Sequence, residues 1–195
     1  MSTELSSRFN VTSTDSSPSR RREQFLIIQK ICIDILIGWD EQIKAHLVWV
    51  WGEEEGFMKR GKEGMLVITD RRIAFITKTN MTYRMHDVYS RRQLERFKED
   101  ENVFRPLEGY KVKDLENDLD KSDENREIVF SQILDITSEE KRWGTLLKVK
   151  VKMVDKSKNY KFSIVKGWVK YPAKDPIEFQ HVDWNPLINL FKTSI

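Results

Sequence analysis

The sequence predicts an α+β protein in which antiparallel strands are closed by an amphipathic C-terminal helix. Three stretches carry that prediction. Residues 64–78 read Gly-Met-Leu-Val-Ile-Thr-Asp-Arg-Arg-Ile-Ala-Phe-Ile-Thr-Lys. Two β-branched, aromatic-containing runs flanking a charged turn are the pattern of a tight hairpin. Further on, Leu147, Val149, Val151 and Met153 alternate with Lys148, Lys150 and Lys152, which places an apolar row and a basic row on opposite faces of one strand. Near the end, Asn185 precedes Pro186 as a helix start, and Leu187, Ile188, Leu190 and Phe191 form one apolar face.

The totals agree with a single domain. A chain of 195 residues can bury a genuine core and still carry a tail or an insertion. Hydrophobic residues make up 39% and charged residues 33%, which fits a highly charged surface. Six Trp and ten Phe supply the large side chains that a small sheet protein buries. The single cysteine, Cys32, excludes an internal disulfide framework and is compatible with a reducing, cytoplasmic setting. No segment approaches the roughly 20 apolar residues that span a bilayer.

In chain order, residues 1–22 form a Ser/Thr-rich tail with few large apolar groups, and such a segment cannot offset its ordering entropy. Residues 23–195 read as one domain. Its first element is a helix over about 24–37, with Ile27, Ile28, Ile31, Cys32, Ile35 and Leu36 on one face and Gly38 as a stop. That face is read as packed on the domain, with a helix lying on a membrane as the alternative, assisted by Arg20, Arg21 and Arg22. A strand follows, with Ile43, Ala45, Leu47, Trp49 and Trp51 on one face and Lys44 and solvent-facing His46 on the other.

The hairpin comes next, its turn braced by Asp70. After Lys78 the strand pattern lapses, and residues 79–125 read as a helical insertion. One helix covers 87–100, with Leu94 and Phe97 facing inward, and a shorter one carries the stripe Val112, Leu115, Leu119. Asp114, Glu116, Asp118, Asp120, Asp123 and Glu124 are read as a solvated acidic face. Strands resume at 128–136, 146–153 and 160–165 before the final helix.

The order of strand, hairpin, insertion, further strands and closing helix resembles the PH-like superfold, in particular its bacterial PH and GRAM-type branch. Three motifs carry the resemblance. They are Gly64, Leu66, Thr69, Asp70, Arg72, Ile73 and Phe75 in the hairpin; the apolar–polar strand 128–136; and Gly144-Thr145-Leu146-Leu147 followed by Tyr160-Lys161-Phe162. They cover roughly 40–78 and 126–192. The resemblance implies a strongly bent, barrel-like antiparallel sheet plugged at one end by the C-terminal helix. It also implies a binding module, since PH-like domains take phosphoinositides, peptides or other partners. Lipid-binding members place basic residues around the loop between the first two strands, and here Lys59, Arg60 and Lys62 stand there beside Glu53, Glu54, Glu55 and Glu63.

The charge pattern adds a second basic region over 141–174, where lysines outnumber the single acid Asp155. The candidate ligand-binding residues are therefore Lys59, Arg60, Lys62, Arg71, Arg72, Lys148, Lys150 and Lys152. No nucleophile–base pair, metal-ligand spacing or phosphate loop is recognisable, so the reading is non-enzymatic, with no cofactor and no metal. The leading partner is an anionic lipid surface, met peripherally through the basic strand face. The alternative is a protein partner, met through the acidic insertion or an apolar groove. Nucleic acid ranks below both, because Tyr160, Phe162, Trp168 and Tyr171 fall at spacings that suit a core better than a stacking platform.

Overall fold

A computed structural model describes residues 41–56, 60–154, 156–168 and 176–194. The tail over 1–22, the helix over 24–37 and Lys59 lie outside the described residues. The elements in order are β1 (Ile43–Glu54), β2 (Lys62–Thr69), β3 (Arg72–Ile76), α1 (Tyr83–Lys98), α2 (Val112–Lys121), β4 (Arg126–Val129), a 3-10 turn (Phe130–Gln132), β5 (Ile133–Lys141), β6 (Gly144–Lys152), β7 (Ser157–Trp168), β8 (Pro176–Phe179) and α3 (Asn185–Ser194). All strand pairings are antiparallel, and the sheet order is β4-β3-β2-β1-β7-β6-β5, with β8 on β7. The α+β class, the hairpin and the closing helix are as the sequence predicts; β8 was not anticipated. Among the described residues β4 and β5 do not pair, so the sheet is not a closed barrel.

The sheet nevertheless curls around a common interior. Phe75 on β3 meets Phe162 on β7 with ring centroids 5.5 Å apart, although β2 and β1 lie between those strands. Strands sit about 4.8 Å apart in a sheet, so a flat one would hold these residues much farther from each other. One core cluster draws on both ends of the strand order, from Ile73 and Ile128 to Leu147 and Ile136, and receives Leu187, Ile188 and Phe191 of α3. The apolar face read from 187–191 is the face that packs.

β1 is the strand on which the two halves of the sheet meet, and it is kinked. Leu47 pairs with Leu66 but Val50 pairs with Gly64, so two residues, Val48 and Trp49, stand opposite Met65 alone. The extra residue is a bulge, with Trp49 at φ 58, a conformation that bulky side chains rarely adopt. A one-residue shift moves later side chains to the other face. Ala45, Leu47 and Val50 consequently point into the interior, while Trp49 packs on a second cluster. The expected single row Ile43, Ala45, Leu47, Trp49, Trp51 is corrected by that bulge.

The second cluster explains the insertion. Val48, Met65, Val67, Ala74 and Ile76 face away from the interior, and Tyr110 and Leu115 of the insertion cover them. α1 starts earlier than predicted, at Tyr83, capped by Thr82, whose hydroxyl accepts from the Met85 N–H. Phe97 packs against the core as expected, but Leu94 is exposed. Asp118 is not part of a solvated face: it is buried and accepts hydrogen bonds from Thr79 and the Tyr110 hydroxyl.

Candidate functional site

The predicted basic residues separate into distinct places. Lys62 and Thr69 mark the two ends of β2, so Arg71 and Arg72 lie at the far end of that strand from Lys62, on the order of 20 Å away at strand rise. Arg72 is a correction. It is 4% exposed and is held by Glu41, Glu116 and Glu127, with the Glu41 contact at 2.7 Å and the Glu127 contact at 2.8 Å. Burial opposes its charge, but the hydrogen bonds it donates to Glu41 and Glu116 and the charge of Glu127 more than offset it and raise its pKa. Three carboxylates satisfy this guanidinium, so it ties β3 to the lead into β1, to α2 and to β4 rather than meeting a ligand.

The turn beside it is also braced differently from expectation. The Thr69 hydroxyl accepts from the Arg71 and Arg72 N–H groups at 3.0 and 2.9 Å. Asp70 instead accepts from the Gln42 N–H at 3.1 Å. His46 is corrected too. It is buried, its Nδ1 accepts from the Leu107 N–H at 3.1 Å, and its ring meets Tyr110 edge-on. Burial holds its pKa down at about 3, so it is neutral.

At the other end of the sheet, the end of β1 and the starts of β2, β4 and β7 converge. A recess of about 390 Å³ opens there, floored by Phe75, Tyr160 and Phe162 and rimmed by Lys62, Glu124 and Arg126. Two glycines admit the ring of Phe75 into the floor. A Cβ on Gly52 would stand 2.7 Å from that ring, and one on Gly64 would stand 2.6 Å from the Ile76 carbonyl oxygen. This is the physical content of the glycine that opens the hairpin motif. The rim is charge-balanced: Lys62 meets Glu124 at 3.0 Å, and Lys158 meets Glu54 at 2.9 Å.

The basic row on β6 is likewise split. Lys148 lies opposite Lys161, and each is neutralised separately, Lys148 by Glu139 and Lys161 by Glu55 at 2.7 Å. Lys141 shares Glu139, and the two lysine bonds hold that carboxyl at about 2. Lys150 and Lys152 remain exposed and lead into the β6–β7 turn, where Lys156 is also exposed. Between them Met153 is 40% and Val154 fully exposed. An apolar tip framed by lysines is the feature that the sequence reading missed. The run Lys152-Met153-Val154 was visible, but Met153 was assigned to the buried row.

Arg60 and Lys148 do share one concavity, an outer-face cleft of about 670 Å³ on the side of the sheet opposite the core. Lys150 and Lys152 are not part of it. Among the described residues no group of three or more His, Cys, Asp or Glu is placed to hold a metal ion, and no helix is long and apolar enough to cross a membrane.

No protein-family model and no curated protein matches the chain. Among solved structures it is similar to the hSac2 domain from human phosphoinositide phosphatase Sac2, with 8% identity and a TM-score of 0.37 over 92% of this chain and 84% of that one. A likeness at that level bears on neither fold nor function.

Proposed function

We propose that the chain is a PH-like, non-enzymatic binding module that docks peripherally on anionic membrane surfaces. The PH-like reading is supported by the long kinked β1 at the centre of the strand order, by the curl of the sheet and by α3 seated in its interior. The docking reading rests on one observation, the β6–β7 turn. Met153 and Val154 project from it, and Lys150, Lys152 and Lys156 stand exposed around them. Adjacent exposed apolar side chains rimmed by charged ones form the kind of patch that meets a protein or membrane surface. A bilayer interface receives both kinds of group at once.

The magnitudes are sufficient for reversible binding. Each lysine near an anionic leaflet contributes about 1 kcal/mol, and each fully buried Met or Val contributes about 1.5–3 kcal/mol. The interface is therefore the β6–β7 end of the sheet, not the strand face: Lys148 and Lys161 on that face already have carboxylate partners.

Vesicle co-sedimentation tests this. Binding to phosphatidylserine-containing vesicles at low salt, absent on pure phosphatidylcholine, is expected. Replacing Lys150, Lys152 and Lys156 with Glu should abolish it, and Met153→Ser with Val154→Ser should weaken it about tenfold or more. Absence of binding to anionic vesicles at low ionic strength would overturn the proposal.

A further inference from the structure

The outer-face cleft is separate from the membrane-docking end and raises a different question, because a buried hydroxyl without a partner lies in its floor. Ser163 on β7 is 1% exposed, and among the described residues its Oγ has no hydrogen-bond partner. Buried polar side chains are nearly always bonded, so an unbonded one in a cavity floor marks a place where a ligand atom completes the set. The cavity, about 670 Å³, is in the range of small-molecule sites.

The walls define what would fit. Trp143, in the β5–β6 turn, is 42% exposed and packs at a tilt on Phe179 of β8, with ring centroids 5.2 Å apart. With Leu146 the pair makes part of the cleft lining an apolar and aromatic plate. Its position is fixed by Gly144, where φ is 140 and a Cβ would run into the backbone of Phe179. The rest of the lining is polar, and part of it adjoins the plate, since Glu139 pairs with Leu146 and Lys141 with Gly144. It comprises Arg60, Lys141, Lys148 and Lys161 together with the two carboxylates of Glu53 and Glu139. Glu53 accepts from Trp51 Nε1 at 2.7 Å, and Glu139 is shared by Lys141 and Lys148.

We infer that this cleft binds a small amphiphilic anion: an apolar or aromatic body lying on Trp143, Phe179 and Leu146, with a polar atom hydrogen-bonded to Ser163 Oγ and an anionic group meeting Lys148. Glu139 is the carboxylate that Lys141 and Lys148 share, so two cations meet one anion at that point and a second anion can join them. The hydroxyl of Ser163 can donate or accept, which suits an ester, amide or carboxylate oxygen equally. The inference does not depend on the docking of the β6–β7 turn.

The test uses 8-anilinonaphthalene-1-sulfonate as an aromatic anionic probe on the full chain without vesicles. Saturable fluorescence enhancement at one site is expected, displaced by laurate and by dodecyl phosphate but not by dodecanol. Laurate and dodecyl phosphate distinguish a carboxylate from a phosphate preference. Lys148→Gln should weaken the probe about tenfold, the loss of one charge-assisted hydrogen bond, and Trp143→Ala should weaken it by a similar factor. Ser163→Ala is the diagnostic variant. It removes an unbonded buried hydroxyl, so thermal stability should hold or rise while affinity for laurate falls. The absence of saturable binding, displacement by dodecanol as effective as by laurate, or full affinity in both Lys148→Gln and Trp143→Ala would overturn the inference.

Discussion

Gln93 holds Val48 by both ends of its amide: the Val48 N–H donates to Oε1 and the Gln93 Nε2 donates to the Val48 carbonyl, each at 2.9 Å. The pair reproduces, with a side chain, the reciprocal bonds of a neighbouring strand. It is needed because β7 pairs with β1 only from Val50 onward, which leaves the first half of β1 with an open edge. The Arg105 backbone carbonyl continues the substitution by accepting from the His46 N–H at 3.0 Å. The insertion thus protects a sheet edge that would otherwise offer unpaired backbone to other chains. Gln93→Ala leaves a buried N–H and C=O unsatisfied, and a loss of about 2–4 kcal/mol in urea unfolding is expected. Gln93→Glu keeps the acceptor but sets a carboxylate against the Val48 carbonyl, so it should be at least as damaging. A Gln93→Ala variant as stable as the parent would show that the edge needs no cover.

The Arg72 cluster leads to a second prediction. Arg72→Met should destabilise the fold by about 3–5 kcal/mol, because it strands the buried carboxylate of Glu41 without its cation. The double variant Arg72→Met with Glu41→Leu should recover much of that loss, since replacing both partners of a buried pair by apolar groups is often neutral. Equal stability of the single and double variants would contradict this account. Vesicle binding, referred to the folded fraction, should be unchanged in both, which separates a structural arginine from a ligand-binding one.

Gly52 and Gly64 both lie against Phe75, yet they should respond differently to alanine. The obstacle at Gly52 is the ring itself, whereas at Gly64 it is also the Ile76 carbonyl oxygen. A ring can yield and a paired backbone cannot. Gly64→Ala should therefore cost about 1–3 kcal/mol or more, and adding Phe75→Leu should rescue Gly52→Ala but not Gly64→Ala. Urea unfolding of these four variants and of Phe75→Leu alone measures the coupling directly. Rescue of both glycine variants to the same extent would mean that the ring alone sets the limit.

These residues also mark what could be read from the chain. The hairpin was legible as a strand pair because Ile68 and Ile73 flank a short polar turn and meet in register. A further message in it went unread. Met65, Leu66, Val67 and Ile68 are apolar without alternation, which means cover on both faces, and the second cover is the insertion. On β6, where residues 147–152 alternate, the outer face is open and the alternation was read correctly. The bulge at Trp49 left no local sign, since nothing about a tryptophan announces a positive φ, and the facings of Trp49 and Trp51 in the predicted row were wrong as a result. The Arg72 hub was illegible for another reason: Glu41, Glu116 and Glu127 come from three separate segments, and only the fold brings them to one guanidinium. Nothing in the sequence marks Ser163, because its burial and its lack of a partner among the described residues are properties of the fold.

His46 supplies a pH dependence whose sign can be worked through. In the fold, burial holds its pKa at about 3, against 6.5 for the ordinary group. Between those values the unfolded chain takes up a proton that the folded chain refuses, so stability falls as pH falls. The contribution is complete above pH 6.5, declines through the interval and has no further slope below about pH 3. At pH 5 the loss amounts to about 2 kcal/mol. The groups around the ring do not relieve it: Tyr110 meets it edge-on, and Arg92, Arg96 and Glu108 line a cavity of only about 50 Å³ beside it. His46→Gln removes the titration while offering an oxygen to the Leu107 N–H. The difference between unfolding free energies at pH 7 and pH 5 should therefore shrink by about 2 kcal/mol in that variant. If parent and variant lose stability in parallel over this range, the acid sensitivity belongs to the carboxylates and not to the buried imidazole.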